Sequence, residues 1–159
     1  MSYTQQMWTE FLIFVGFLTP ISICDIREKR IPDKYIILGF VFIFLLRMIF
    51  GLKSTILWFI FDSAIGFFII WILWFFTKNK IGLGDAKLSA FIAFMLGLSG
   101  WVITLLLASI MAISLILILL FLKKMKKKEG IPFAPFLAVG GIFSFFIKHF
   151  LIKDLICII

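Results

Sequence analysis

From Leu88 to Leu122 the chain carries no charged residue over 35 consecutive positions. A single helix of that length would be about 52 Å long at about 1.5 Å per residue. The hydrocarbon core of a bilayer is only about 30 Å thick, so the run is too long for one crossing. The segment GLSGW at 97–101 supplies a break and predicts two spans. Comparable apolar runs lie on either side. Met7 to Cys24 holds one charge, Glu10, and Ser54 to Thr77 holds one, Asp62. Tyr35 to Phe50 holds Arg47, near enough to the end of its run to snorkel toward the interface, and a last run extends from Ile131 to Ile147. The reading is an all-α integral membrane protein of six transmembrane helices, a single domain over residues 1–159. Its fourth helix, Asp85 to Leu98, is short. With 15% charged residues, against about 25% in soluble domains, the composition excludes a soluble globular fold.

Lysine and arginine orient the bundle. Twelve of the sixteen fall in the connections 1–2, 3–4 and 5–6: Arg27, Lys29, Arg30, Lys34, Lys78, Lys80, Lys87, Lys123, Lys124, Lys126, Lys127 and Lys128. Arg47, Lys53, Lys148 and Lys153 are the exceptions. The asymmetry places these three connections in the cytoplasm and both termini outside. It also accounts for the net charge of +8. The stretch KKMKKKEG reads as a loop at an anionic lipid surface rather than a nucleic-acid contact. The first residues have neither the basic region nor the cleavage site of a secretory signal, which predicts a retained first span. Cys24 and Cys157 form no CxxC pair and fall on opposite sides of the bilayer, which predicts no disulfide.

On this topology Asp25 ends helix 1 and Asp85 begins helix 4, at similar depth near the inner interface. Gly82 and Gly84 precede Asp85 and permit tight turns and close approach of another segment. Asp85 then stands in a helix first turn, where the dipole favours a carboxylate. Pro32 and Asp33 read as the first turn of helix 2. Lys87, two positions from Asp85, does not face it on a helix. Two carboxyl groups that share one proton can hydrolyse a peptide bond: the ionised one takes a proton from attacking water while the neutral one donates to the carbonyl oxygen. Interfacial aspartates also serve as caps and anchors, so these residues alone leave both roles open.

Three separated segments resemble a known family. CDIREKRIPD at 24–33, GLGDAKL at 82–88 and GIPFAPFLAVGG at 130–141 are similar to the motifs of the type IV prepilin peptidases, the GxGD intramembrane aspartyl proteases that include archaeal preflagellin peptidases. FDSAIGFF at 61–68 is a fainter match. The resemblance implies Asp25 and Asp85 as the catalytic pair, with Gly82 and Gly84 shaping the loop around Asp85 and Lys87, Pro32 and Asp33 as supporting motif residues. It implies a prepilin-like precursor as substrate, cut after its short basic leader at the cytoplasmic face of the cell membrane, with no metal or cofactor. Bifunctional bacterial members carry a four-cysteine zinc loop and N-methyltransferase activity. That loop is absent here, so the expectation is a peptidase-only form.

Besides Asp25 and Asp85, the acidic residues on the cytoplasmic side are Glu28, Asp33 and Glu129. One or more would attract the basic leader, with local charge balance as the alternative; Glu28 and Glu129 are the candidate leader contacts. Asp62 reads as a buried polar contact far from the pair. His149 has no second histidine with which to hold a metal. A rival class is a proton-coupled membrane transporter with Asp25, Asp62 and Asp85 along its path. A third is a non-catalytic subunit of a filament assembly machine, in which both aspartates are dispensable.

Overall fold

The computed structural model describes residues 3–28, 31–49, 53–77, 82–122 and 132–158. Five helices follow one another: α1 (Tyr3–Glu28), α2 (Asp33–Ile49), α3 (Lys53–Phe76), α4 (Leu83–Phe121) and α5 (Ala134–Ile158). Among the described residues there is no strand. Three stretches are long and apolar enough to cross a membrane, Met7–Glu28, Ile56–Phe76 and Leu83–Phe121, and Ala134–His149 is a shorter apolar helix. The chain is an integral membrane protein built of helices.

The expected break in the long uncharged run lies at Gly97, the first residue of GLSGW. Its φ of 71° and ψ of 172° are non-helical, and it is the one described glycine with positive φ. The chain doubles back there. Ser89 and Trp101 would stand about 18 Å apart along a straight helix, yet the Trp101 indole N–H donates to the Ser89 hydroxyl. α5 runs beside both halves: Ser144 donates to the Gly100 carbonyl at 2.6 Å, and Lys148 donates to that of Leu96.

Residues 83–96 rise only about 21 Å, less than the hydrocarbon thickness. They form the centre of the molecule. Ala86 and every residue from Leu88 to Gly97 are buried, so this half-helix is enclosed on all sides. Phe91 meets Phe14 of α1 and Phe40 of α2, with ring centroids 6.1 and 5.5 Å away. Glycines bring the neighbours close, as small residues do between membrane helices. A Cβ on Gly66 would lie 2.8 Å from that of Ala93, and one on Gly140 would lie 2.8 Å from the Thr104 carbonyl oxygen.

A reversal inside an apolar bundle strands backbone groups that lipid cannot satisfy. Here charged side chains take them up. Arg47 donates to the carbonyls of Phe94 (2.7 Å) and Met95 (2.9 Å), and Lys148 takes that of Leu96. Asp62 accepts the Leu98 N–H at 3.1 Å. The cations thus sit at a helix C-terminus and the anion at an N-terminus, as the helix dipoles favour. Asp62 is therefore the polar contact anticipated for it, whereas Arg47 corrects the sequence reading. It does not snorkel: it is 2% exposed, with its guanidinium 3.8 Å from the Phe59 ring centre and 3.7 Å from the Glu10 carboxylate. The reason is its register. Ile36, Gly39, Ile43 and Arg47 occupy one buried stripe of α2, which aims the side chain at the freed carbonyls.

Replacing Gly97 by alanine forces an L-residue into that backbone conformation and puts a Cβ 3.3 Å from Asp62 Oδ2. The expected cost is about 1–3 kcal/mol, read as a lower thermal midpoint in detergent. An unchanged midpoint would mean that the turn does not depend on glycine.

Candidate active site

Asp25 lies in the last turns of α1, 6% exposed. Its Oδ2 accepts the N–H of Ala134 at 3.1 Å. Ala134 opens α5, and first-turn amides have no partner within their own helix. A carboxylate from α1 therefore caps α5 from outside, with the helix dipole in its favour. This contact joins the CDIREKRIPD segment to the IPFAPFL segment.

Asp85 is the third residue of α4. Gly82 before it is extended (φ −72°, ψ 135°), and the Asp85 N–H donates to the Gly82 carbonyl at 3.1 Å. The side chain folds back over the same turn, its Oδ2 lying 3.4 Å from where a Cβ on Gly82 would stand. A Cβ on Gly84 would fall 2.8 Å from that of Ile31, so Ile31 rests directly on the Gly84 backbone. Only glycine allows this approach. Pro32 stands immediately before α2 rather than within its first turn, its carbonyl accepting the Tyr35 N–H at 3.2 Å. A proline has no N–H to satisfy at that position.

Lys87 turns away from Asp85, as its spacing implied, and binds both oxygens of Asp33 at 2.7 Å. The pair is partly exposed and ties the start of α2 to the first turn of α4. Ile31 and Asp33, which follow Asp25 in the same motif, thus contact Gly84 and Lys87 on either side of Asp85, so the end of α1 and the start of α4 share one end of the bundle. Two carboxyl groups that interact strongly titrate as a pair and can hold one proton between them.

Of the other residues singled out in the sequence, Glu28 is exposed on the last turn of α1. Glu129 lies outside the described residues, as does the side chain of Cys157. Asp62 is remote, bonded at the Gly97 turn about 18 Å along α4 from Asp85. Sequence reasoning missed the Ala134 amide as the partner of Asp25. Its signal was the proline-flanked start of the last apolar run, where a helix N-terminus offers free donors.

Apolar helices enclosing a polar junction where α1, α2, α4 and α5 meet define a helical membrane protein. The class is narrowed further by comparison. Residues 12–119 match the profile of the type IV leader peptidase family, and the chain belongs to that family. It is similar to three proteins named prepilin leader peptidase/N-methyltransferase. One is from Pseudomonas aeruginosa, 32% identical across 87% of this chain and 49% of the relative. A second, from Xanthomonas campestris pv. campestris, is 30% identical across 87% and 50%. A third, from Bacillus subtilis, is 26% identical across 84% and 54%. The chain thus spans about half the length of the curated relatives it matches. No solved structure matches it.

The exposure of Lys87 and Asp33 bounds what their ion pair contributes. A double-mutant cycle with Lys87→Met and Asp33→Asn should give a coupling of about 0.2–1 kcal/mol, as for other solvent-exposed pairs. A coupling several times larger would mean that the pair is shielded from water in the membrane.

Proposed function

We propose that this chain is an intramembrane aspartyl endopeptidase that removes the short basic leader of prepilin-like precursors, with Asp25 and Asp85 as its catalytic pair. The observation that carries the reading is the convergence of the three motif segments that hold these two residues: Asp25 caps α5 at Ala134, while Ile31 and Asp33 contact Gly84 and Lys87 on either side of Asp85. Family membership supports it independently. In the reaction one carboxylate takes a proton from water as the water oxygen bonds to the scissile carbonyl carbon. The other carboxylic acid protonates the carbonyl oxygen. Collapse of the tetrahedral intermediate breaks the C–N bond: the leaving amine takes up the proton held by the first carboxyl group, and a hydroxyl of the intermediate returns a proton to the second as the new carbonyl forms.

The layout that goes with this reading has six spans, both halves of α4 crossing separately, with the termini outside and the pair near the cytoplasmic face of the cell membrane. The distribution of lysine and arginine supports that orientation. Glu28 and Glu129 are the residues assigned to the basic leader, Asp33 being engaged by Lys87. The cut is the activity assigned to these 159 residues; with two cysteines they do not contain a four-cysteine zinc cluster. Appearance of a methylated product on addition of a methyl donor would show that assignment to be too narrow.

Cleavage of a co-expressed prepilin-like precursor, followed by the loss of its leader on a gel, tests the reading. Asp25→Asn and Asp85→Asn should each slow cleavage by about a hundredfold or more, the scale of general acid–base catalysis. Asp62→Asn should stay far more active than either, whereas a proton path through the bundle would require a titrating Asp62. Cleavage persisting in either pair variant would end the aspartyl mechanism.

Reversing Glu28 and Glu129 to lysine should weaken cleavage of a precursor with a basic leader more than that of one whose leader is neutralised. Equal effects on both precursors would remove the two glutamates from leader recognition.

A further inference from the structure

The turn at Gly97 draws one charged side chain from each of the other four helices: Glu10 of α1, Arg47 of α2, Asp62 of α3 and Lys148 of α5. Two are cations and two are anions. Glu10 pairs with Arg47, and Asp62 Oδ2 and Lys148 Nζ both flank Gly97, 3.3 and 3.4 Å from where a Cβ on it would stand. Three of them hold the α4 backbone itself, at the carbonyls of Phe94, Met95 and Leu96 and at the amide of Leu98.

Asp85 sits at the opposite end of the same half-helix. Between it and the turn, Leu88 to Leu96 are buried on every side. Apart from Ser89, bonded to Trp101, that packing is apolar, and apolar attraction has no direction. It resists separation of the helices far better than it resists a slip along the axis. A slip of one residue moves the half-helix about 1.5 Å and rotates it by about 100°, which would turn the Asp85 carboxyl group away from Asp25. Directional restraints on such a slip include the hydrogen bonds at the turn, the Trp101–Ser89 bond within α4 and, at the near end, the Ile31–Gly84 contact and the exposed Lys87–Asp33 pair; those at the turn hold the half-helix to three neighbours at once.

We propose that Arg47, Asp62 and Lys148 are positioning residues for the peptide cut, setting from the far end of the half-helix the height and rotation at which Asp85 meets Asp25. The proposal rests on the peptidase reading above. It gives a role to Arg47 and Lys148, two of the exceptions to the distribution of basic residues, and to the acid inside α3.

The experiment uses the full chain in detergent or vesicles with a prepilin-like precursor, and measures kcat and KM per folded molecule. Wild-type cleavage that is lost in Asp25→Asn and Asp85→Asn establishes the underlying reading first, so its failure is seen separately. Against that base, Arg47→Met, Lys148→Met and Asp62→Leu should each lower kcat, toward about a hundredfold for a displacement near 1 Å, with KM changed less than threefold. Arg47→Lys, Lys148→Arg and Asp62→Asn keep a donor or acceptor at the turn and should recover most of the rate. If a methionine or leucine variant does not accumulate, the conservative variants and the remaining substitutions carry the same comparison. Folded variants with parental kcat would overturn the proposal. So would a rise in KM alone, or a loss that follows only the amount of folded protein.

Discussion

Backbone amides and carbonyls cannot be left unpaired away from water, and in a membrane no loop can escape to solvent to pair them. The rest of this molecule is arranged around that constraint. α4 turns at Gly97 after a half-helix shorter than the hydrocarbon core is thick, and the groups it frees are met by side chains from α2, α3 and α5. In transporters, freed helix ends commonly face a cavity and hold the transported ion. Here the carbonyl end is occupied by Arg47 and Lys148, cations the protein supplies itself. The polar apparatus at the turn thus serves the fold, which weighs against reading Asp25, Asp62 and Asp85 as an ion path.

The other end of the same half-helix is organised by a different kind of contact. Each link there joins two motif segments distant in sequence: Asp25 to Ala134, Ile31 to Gly84, and Asp33 to Lys87. One is a cap in trans, one a close steric fit and one an ion pair. They differ in strength and exposure but agree in effect, since all three hold the start of α4 against the ends of its neighbours. The glycine at 84 and the alanine at 134 matter for their backbones, one for what it lacks and the other for the N–H it presents.

Much of the fold was legible because hydrophobic length is a direct physical signal. The apolar runs mark the helices, the 97–101 segment marks the reversal, and the register of Lys87 excluded it as a partner of Asp85. Motif spacing brought Asp25, Asp85, Gly82 and Gly84 forward. Two kinds of feature were hidden. The Ala134 amide carries no side-chain label, so no residue type could announce it as the partner of Asp25. Arg47 was misread because its distance along the run was considered and its face was not; the stripe Ile36, Gly39, Ile43 was the available clue. The partners of Asp62 and Lys148 depend on which helices pack together, and periodicity within one helix does not encode that.

The bond between Asp25 and Ala134 spans 109 positions of sequence. It therefore has a place in time as well as in space. Asp25 emerges with the first helix, but the amide that receives it emerges only after the fourth has been made. Until then the carboxyl group must be kept by water or lipid headgroups, since an unpaired charge is costly inside the bilayer. A chain whose synthesis stops before residue 134 contains both aspartates and both glycines and still lacks this contact. The junction is thus among the last features of the bundle to close.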